Sequence, residues 1–165
     1  MIRFLLKKLR DLLLPERNTD NRSGPMTTAD LLATLYEWIS QLAEQLEAHA
    51  EQAPYPQVTD RLRAIADEKR SIADLLKQFG GNAQGSSRGA LNRSPVTGKN
   101  HWERLIRDLE EQRALDDFLV RYQATLVQEV PGTADLLDRI KTIHEAHRRS
   151  LLKMIAVADP QANQS

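Results

Sequence analysis

The chain has no cysteine, which excludes disulfide staples, thiolate metal sites and thiol nucleophiles together. Aromatic residues make up 5% of it, too few to build stacking platforms for bases or flat cofactors. Neither sign of charge is in excess. The 23 Lys and Arg residues balance 23 Asp and Glu, so the basic field that draws nucleic acid is missing and nucleic acid is not an expected partner. No apolar run reaches the roughly 18 residues needed to span a bilayer. Strand-like alternation is sustained nowhere, and no glycine-rich phosphate loop or nucleophile elbow occurs. The remainder is 41% hydrophobic and 28% charged over 165 residues, the composition and length of one globular domain in water.

Helical periodicity fills most of that length. After a cap at Thr27 or Thr28, Leu32, Leu35, Ile39, Leu42, Leu46 and His49 follow spacings of three and four, with Leu31 and Trp38 widening the stripe. Pro54 and Pro56 then break the chain. Val58, Leu62, Ile65, Lys69, Ile72, Leu76 and Phe79 repeat the pattern until Gly80 and Gly81 stop it. Lys69 alone interrupts this second stripe, and with Glu68 it reads as a boundary pair whose charges reach outward over an apolar stem. Asn100 and Glu103 match a capping box. The third stripe they open is more polar: Leu105, Leu109, Gln112, Asp116, Leu119, Gln123 and Leu126, flanked by Ile106, Leu115 and Tyr122. Pro131 and Gly132 mark a turn, Thr133 is the expected cap, and Leu137, Ile140, His144, His147, Leu151 and Met154 line a fourth helix.

The expected fold is therefore all-α: a four-helix bundle over 26–157, made of two antiparallel hairpins. A flexible Gly-, Ser- and Asn-rich crossover over 80–98 joins them, long enough to run the length of the bundle, and a frayed tail covers 158–165. Ahead of the bundle, Ile2, Leu5, Leu6, Leu9, Leu12 and Leu13 recur at helical spacing, with Arg3, Lys7, Lys8 and Arg10 opposite. Residues 1–14 thus read as a short basic amphipathic helix, ended by Pro15 and tethered by a polar linker over 15–25. Lys7 and Lys8 interrupt the apolar stretch, and no small-residue cleavage site follows, so a secretory signal is not expected. The apolar face of such a helix meets an anionic membrane surface, a partner groove or the bundle itself.

The layout of hairpin, long crossover and hairpin over Met26–Val157 resembles the ferritin-like superfamily, including its rubrerythrin-type and bacterioferritin-type domains. Members that hold a di-iron centre carry a glutamate on the first and third helices and a Glu-x-x-His pair on the second and fourth. By that resemblance Glu68 stands at the second-helix glutamate, but Ser71 stands where its histidine would be. The fourth helix offers either Glu145 with Arg148 in the histidine position or His144 with His147. On the first helix Glu37 and Glu44 fall on the outward side, so that ligand is missing; on the third, Asp116 is the inward acid.

Two functional expectations follow. One is a non-catalytic ferritin-like bundle with a degenerate di-iron site, acting as an interaction or assembly module. It has a protein partner or a second copy of itself, no cofactor, and a cytoplasmic location that is peripheral to the membrane wherever residues 1–14 meet lipid. The other is a metal-binding ferritin-like protein, an oxidoreductase or iron-handling domain, holding iron, manganese or zinc through His144, His147, Asp116 and Glu68.

Overall fold

The structure is a computed structural model that describes residues 26–80 and 98–158; the helix expected over 1–14, the linker over 15–25, most of the crossover and the tail beyond Ala158 lie outside the described residues. Four helices account for the described chain: α1 over Thr28–Glu51, α2 over Pro56–Gln78, α3 over His101–Glu129 and α4 over Thr133–Ala158. They form an all-α four-helix bundle.

Each helix start has a local cause. Thr27 is the cap of α1: its hydroxyl accepts from the Asp30 amide at 3.1 Å, while the Asp30 carboxylate accepts from the Thr27 amide at 3.1 Å, a reciprocal capping box. Before α2, Tyr55 is extended, as a residue preceding proline must be, and Pro56 opens the helix where its missing N–H costs nothing. Asn100 Oδ1 accepts from the Glu103 amide at 2.9 Å, but the Glu103 carboxylate accepts from the amide of Lys99 at 2.9 Å, one residue earlier than a capping box requires. Thr133 differs from its expected role. It is the first residue of α4, and its buried hydroxyl donates backward to the carbonyls of Leu126 at 3.0 Å and Val130 at 2.8 Å, closing the end of α3.

Direction follows from the cross-helix contacts. Thr28 at the start of α1 bonds Glu129 at the end of α3, and Arg104 at the start of α3 donates to the carbonyl of Gln52 beyond α1. Thus α1 runs antiparallel to α3 as well as to α2. Phe79, closing α2, lies beside Gly132 in the α3–α4 turn. Gly80 and Gly98 consequently sit at opposite ends of the bundle, and the link between the hairpins starts at one end and finishes at the other. A helix the length of α2 measures roughly 35 Å at 1.5 Å per residue, well within the reach of the intervening chain.

One core runs through all four helices. Leu35, Ile39 and Leu42 of α1, Leu62, Ile65 and Leu76 of α2, Leu105, Leu115 and Leu119 of α3, and Leu137, Ile140 and Leu151 of α4 are all buried in it. Outside it Trp38 packs edge-on against Phe118, with centroids 5.7 Å apart, and Phe118 packs against Tyr122 at 4.8 Å, tying α1 to α3. Of the neighbouring pairs, α2 and α4 meet least, leaving a shallow cavity of about 200 Å³ between them.

The α3–α4 turn depends on Gly132, whose φ of +84° lies in the left-handed region. Space is not the obstacle to a side chain there, since an added Cβ would meet only Phe79 Cε1 at an ordinary 3.5 Å. Gly132→Ala therefore isolates the backbone cost and is expected to lower the unfolding free energy by about 1 kcal/mol in urea titration.

Candidate functional site

Halfway along the bundle the hydrocarbon core is interrupted by a polar layer. Its centre is Lys69, the residue expected at the boundary with its ammonium turned outward. The structure corrects that expectation: Lys69 is 0% exposed, and its ammonium donates inward to Gln112 Oε1 on α3. Position 69 lies on the same stripe as Ile65 and Ile72, both buried, and its side chain crosses the core to α3 instead of snorkelling. Gln112 passes the contact on, donating through Nε2 to Asp116 Oδ1 at 3.0 Å.

Both histidines of α4 close the layer. His144, buried, holds Asp116 Oδ1 through Nδ1 at 2.9 Å, and Arg148 Nε approaches Asp116 Oδ2 at 3.3 Å from the surface. His147, also buried, holds Glu68 Oε2 through Nε2 at 2.6 Å. All four expected site residues thus lie in one layer, but as two separate pairs: His144 with Asp116 toward α3, and His147 with Glu68 toward α2. The rings stand one turn apart on α4, with centroids 6.0 Å apart. Ser71 is exposed, and its hydroxyl donates to the carbonyl of Asp67 within its own helix.

Burial sets the protonation of this layer. It pushes Lys69 down to about 7, against the pull of Asp116, Asp108 and Glu68, all of which favour the ammonium. Burial likewise pushes His144 down to about 4, outweighing its bond to Asp116, and brings His147 to about 4, where the Lys69 charge adds to the effect. Asp116 goes the other way. Its burial works against the carboxylate, but the His144 and Gln112 bonds and the Arg148 charge hold it below its ordinary value. At neutral pH the layer therefore contains neutral imidazoles, an ionised Asp116 and a lysine close to the midpoint of its titration.

A second buried polar cluster lies nearer the α1–α2 turn. Asp108, 0% exposed, accepts from Gln45 Nε2 at 2.7 Å and from His49 Nδ1 at 2.8 Å. Periodicity puts His49 on the inward stripe of α1 but does not single out Asp108 or Gln45. A signal was present: Asp108 stands seven residues before buried Leu115 and three after buried Leu105, on the edge of the α3 stripe that faces α1.

A di-iron centre of the kind the resemblance implies does not fit these residues. The level of Lys69 lies between the Arg63–Glu47 and Lys77–Tyr36 contacts, and there α1 turns Ile39 and Leu42 inward, both buried hydrocarbon. Bridging two cations requires carboxylates from all sides of the bundle. Among the described residues, no three His, Asp or Glu side chains converge as a metal-ligand set, and a lysine stands amid the acids that are present. The described helices also include none long and apolar enough to cross a membrane. Comparison with protein-family models, curated proteins and solved structures gave no match to this chain.

Proposed function

We propose that this chain is a non-catalytic, ferritin-like helical bundle that works as an interaction or assembly module without a metal centre. The observation that carries the reading is the closed polar layer: Lys69 lies inside it, Asp116 and Glu68 are committed to imidazoles, and α1 contributes only hydrocarbon at that level. Such a layer engages both of its carboxylates within the protein. Support for an interaction role comes from the outer side of α3, where Val120, 70% exposed, Ala124 and Val127 recur at spacings of four and three. The basic amphipathic pattern over residues 1–14 supplies a means of attachment to a partner or to an anionic membrane surface.

Elemental analysis after incubation of the full-length protein with ferrous iron, manganese or zinc tests the reading. The wild type is expected to retain no more metal than the His144→Ala/His147→Ala variant. Near-stoichiometric metal in the wild type that disappears in the double variant would replace this reading with the metalloprotein. Attachment is tested separately by co-sedimentation with anionic vesicles, in which Leu5→Asp/Leu9→Asp is expected to abolish binding.

A further inference from the structure

Of the four sides of the bundle, the one between α2 and α4 is the least closed. Its shallow cavity of about 200 Å³ has a floor of Ile72, Leu136 and Ile140, all buried, while Leu75 and Ile143 stand half-buried on its walls. Those wall residues keep part of their hydrocarbon in water until a further apolar surface covers it. The rims carry Glu68 and Arg139, one acid and one base. An occupant is therefore selected by its hydrocarbon more than by its charge.

The chain brings such a surface to the same place. Thr28 bonds Glu129 and Phe79 lies beside Gly132, so the chain enters α1 at the end of the bundle where α2 finishes and α4 begins. Leu75 lies about one turn before Phe79, and Leu136 about one turn after Gly132, so the groove opens at that end. Helices α1 and α4 stand at diagonal corners, roughly 14 Å apart at ordinary helix spacings. The linker over 15–25 reaches roughly 36 Å when extended, more than enough to cross. The helix expected over 1–14 is roughly 21 Å long, sufficient to run from Leu75 past Glu68. Its Ile2, Leu5, Leu6, Leu9, Leu12 and Leu13 fall on one face. The crossover leaves from the same end, but over 80–98 its large aliphatic residues are Leu91 and Val96 alone. We propose that residues 1–14 lie as a fifth helix in the α2–α4 groove, their apolar face on Leu75 and Ile143, whenever no partner or lipid holds them. The inference rests on residues 1–14 being the attachment segment and adds that attachment must first draw them off the bundle.

Amide hydrogen exchange on the full-length protein, free of lipid, tests it. A helix of this length is marginal on its own in water, so slow exchange over residues 5–13 requires docking. Those amides are expected to exchange on the order of tenfold more slowly in wild type than in Leu75→Lys/Ile143→Lys, which sets two cations under the apolar face. The groove variant is also expected to bind phosphatidylglycerol vesicles more tightly by the same factor, because a docked helix is not available to lipid. The converse experiment leaves the bundle sequence untouched and decides alone should the groove variant fail to fold. In it, Leu5→Asp/Leu9→Asp is expected to move the methyl resonances of Leu75 and Ile143 and to leave those of Val120 and Val127 in place. Equal exchange in wild type and groove variant overturns the proposal, as do unmoved Leu75 and Ile143 methyls. Protection that rises with protein concentration also overturns it, by seating the helix of one copy on another. Failure of lipid attachment looks different: protection and methyl shifts appear as expected, supporting the docked helix, while neither wild type nor groove variant sediments with vesicles.

Discussion

Unfolded in urea at a series of pH values, the wild-type protein is expected to gain stability steadily between pH 7 and about pH 10, and Lys69→Met to lose that gain. The cause is the burial that brings Lys69 from 10.5 to about 7 in the folded chain. Between those values the unfolded chain binds one more proton than the folded one, so stability rises with pH at up to about 1.4 kcal/mol per unit. The gain is complete above the unfolded value and lost as pH falls through the folded one, a ceiling of about 5 kcal/mol. Below pH 7 Lys69 is charged in both states and its contribution is flat. A second loss then begins near pH 6.5, where the unfolded histidines protonate while His144 and His147 resist down to about 4. With methionine at position 69 the alkaline rise disappears, and the acid loss becomes shallower because no neighbouring cation opposes the imidazoliums. At pH 6 the variant is expected to be more stable than wild type by about 1–3 kcal/mol, since a desolvated charge is removed at the smaller cost of leaving Gln112 Oε1 unpaired. A wild-type profile flat from pH 7 to 10 would show that Lys69 is not buried as described.

These two sources of stability differ in how far they can be read from the residues alone. Hydrocarbon positions declare themselves by spacing: every apolar member of the α1 stripe from Leu31 to Leu46 except the flanking Trp38 is buried, and so is every one from Leu62 to Leu76 in α2. The bundle and its crossover follow from that spacing together with the breaks at Pro54–Pro56, Gly80 and Pro131–Gly132. Polar members of the same stripes are harder, because their burial depends on a partner from another helix that periodicity does not identify. Lys69 reads as a snorkelling boundary residue while its stripe is considered alone. Only the arrival of Gln112 from α3, diagonally across the bundle, makes an inward ammonium tolerable. His144 with Asp116 is legible because both fall inward and lie at similar distances from the Pro131–Gly132 turn. His147 with Glu68 is less so, since Glu68 is a flank residue, its side chain still 54% exposed.

Asp108→Ala is expected to destabilise the protein by about 3–5 kcal/mol, more than any surface substitution in the chain. Asp108 is fully buried and carries two bonds at 2.7 and 2.8 Å, so its removal strands the Gln45 amide and the His49 Nδ1–H together. His49 is itself 2% exposed and has no water to turn to. The loss is therefore mostly the desolvation of orphaned donors, which a double-mutant cycle distinguishes from lost packing. His49→Ala alone strands one face of the carboxylate, and Asp108→Ala/His49→Ala is expected to cost about 1–3 kcal/mol less than the two single variants taken together. Asp108→Asn serves as the isosteric control. It keeps the volume but offers a single acceptor oxygen where two are used, so one of the two donors meets an NH2 group, and about half of the alanine effect should persist. Urea unfolding at pH 7.5 measures all four variants. Strictly additive single effects would mean that His49 and Asp108 are held by their separate packing and not by each other, and the α1–α3 contact would then owe its strength to the Trp38, Phe118 and Tyr122 stack.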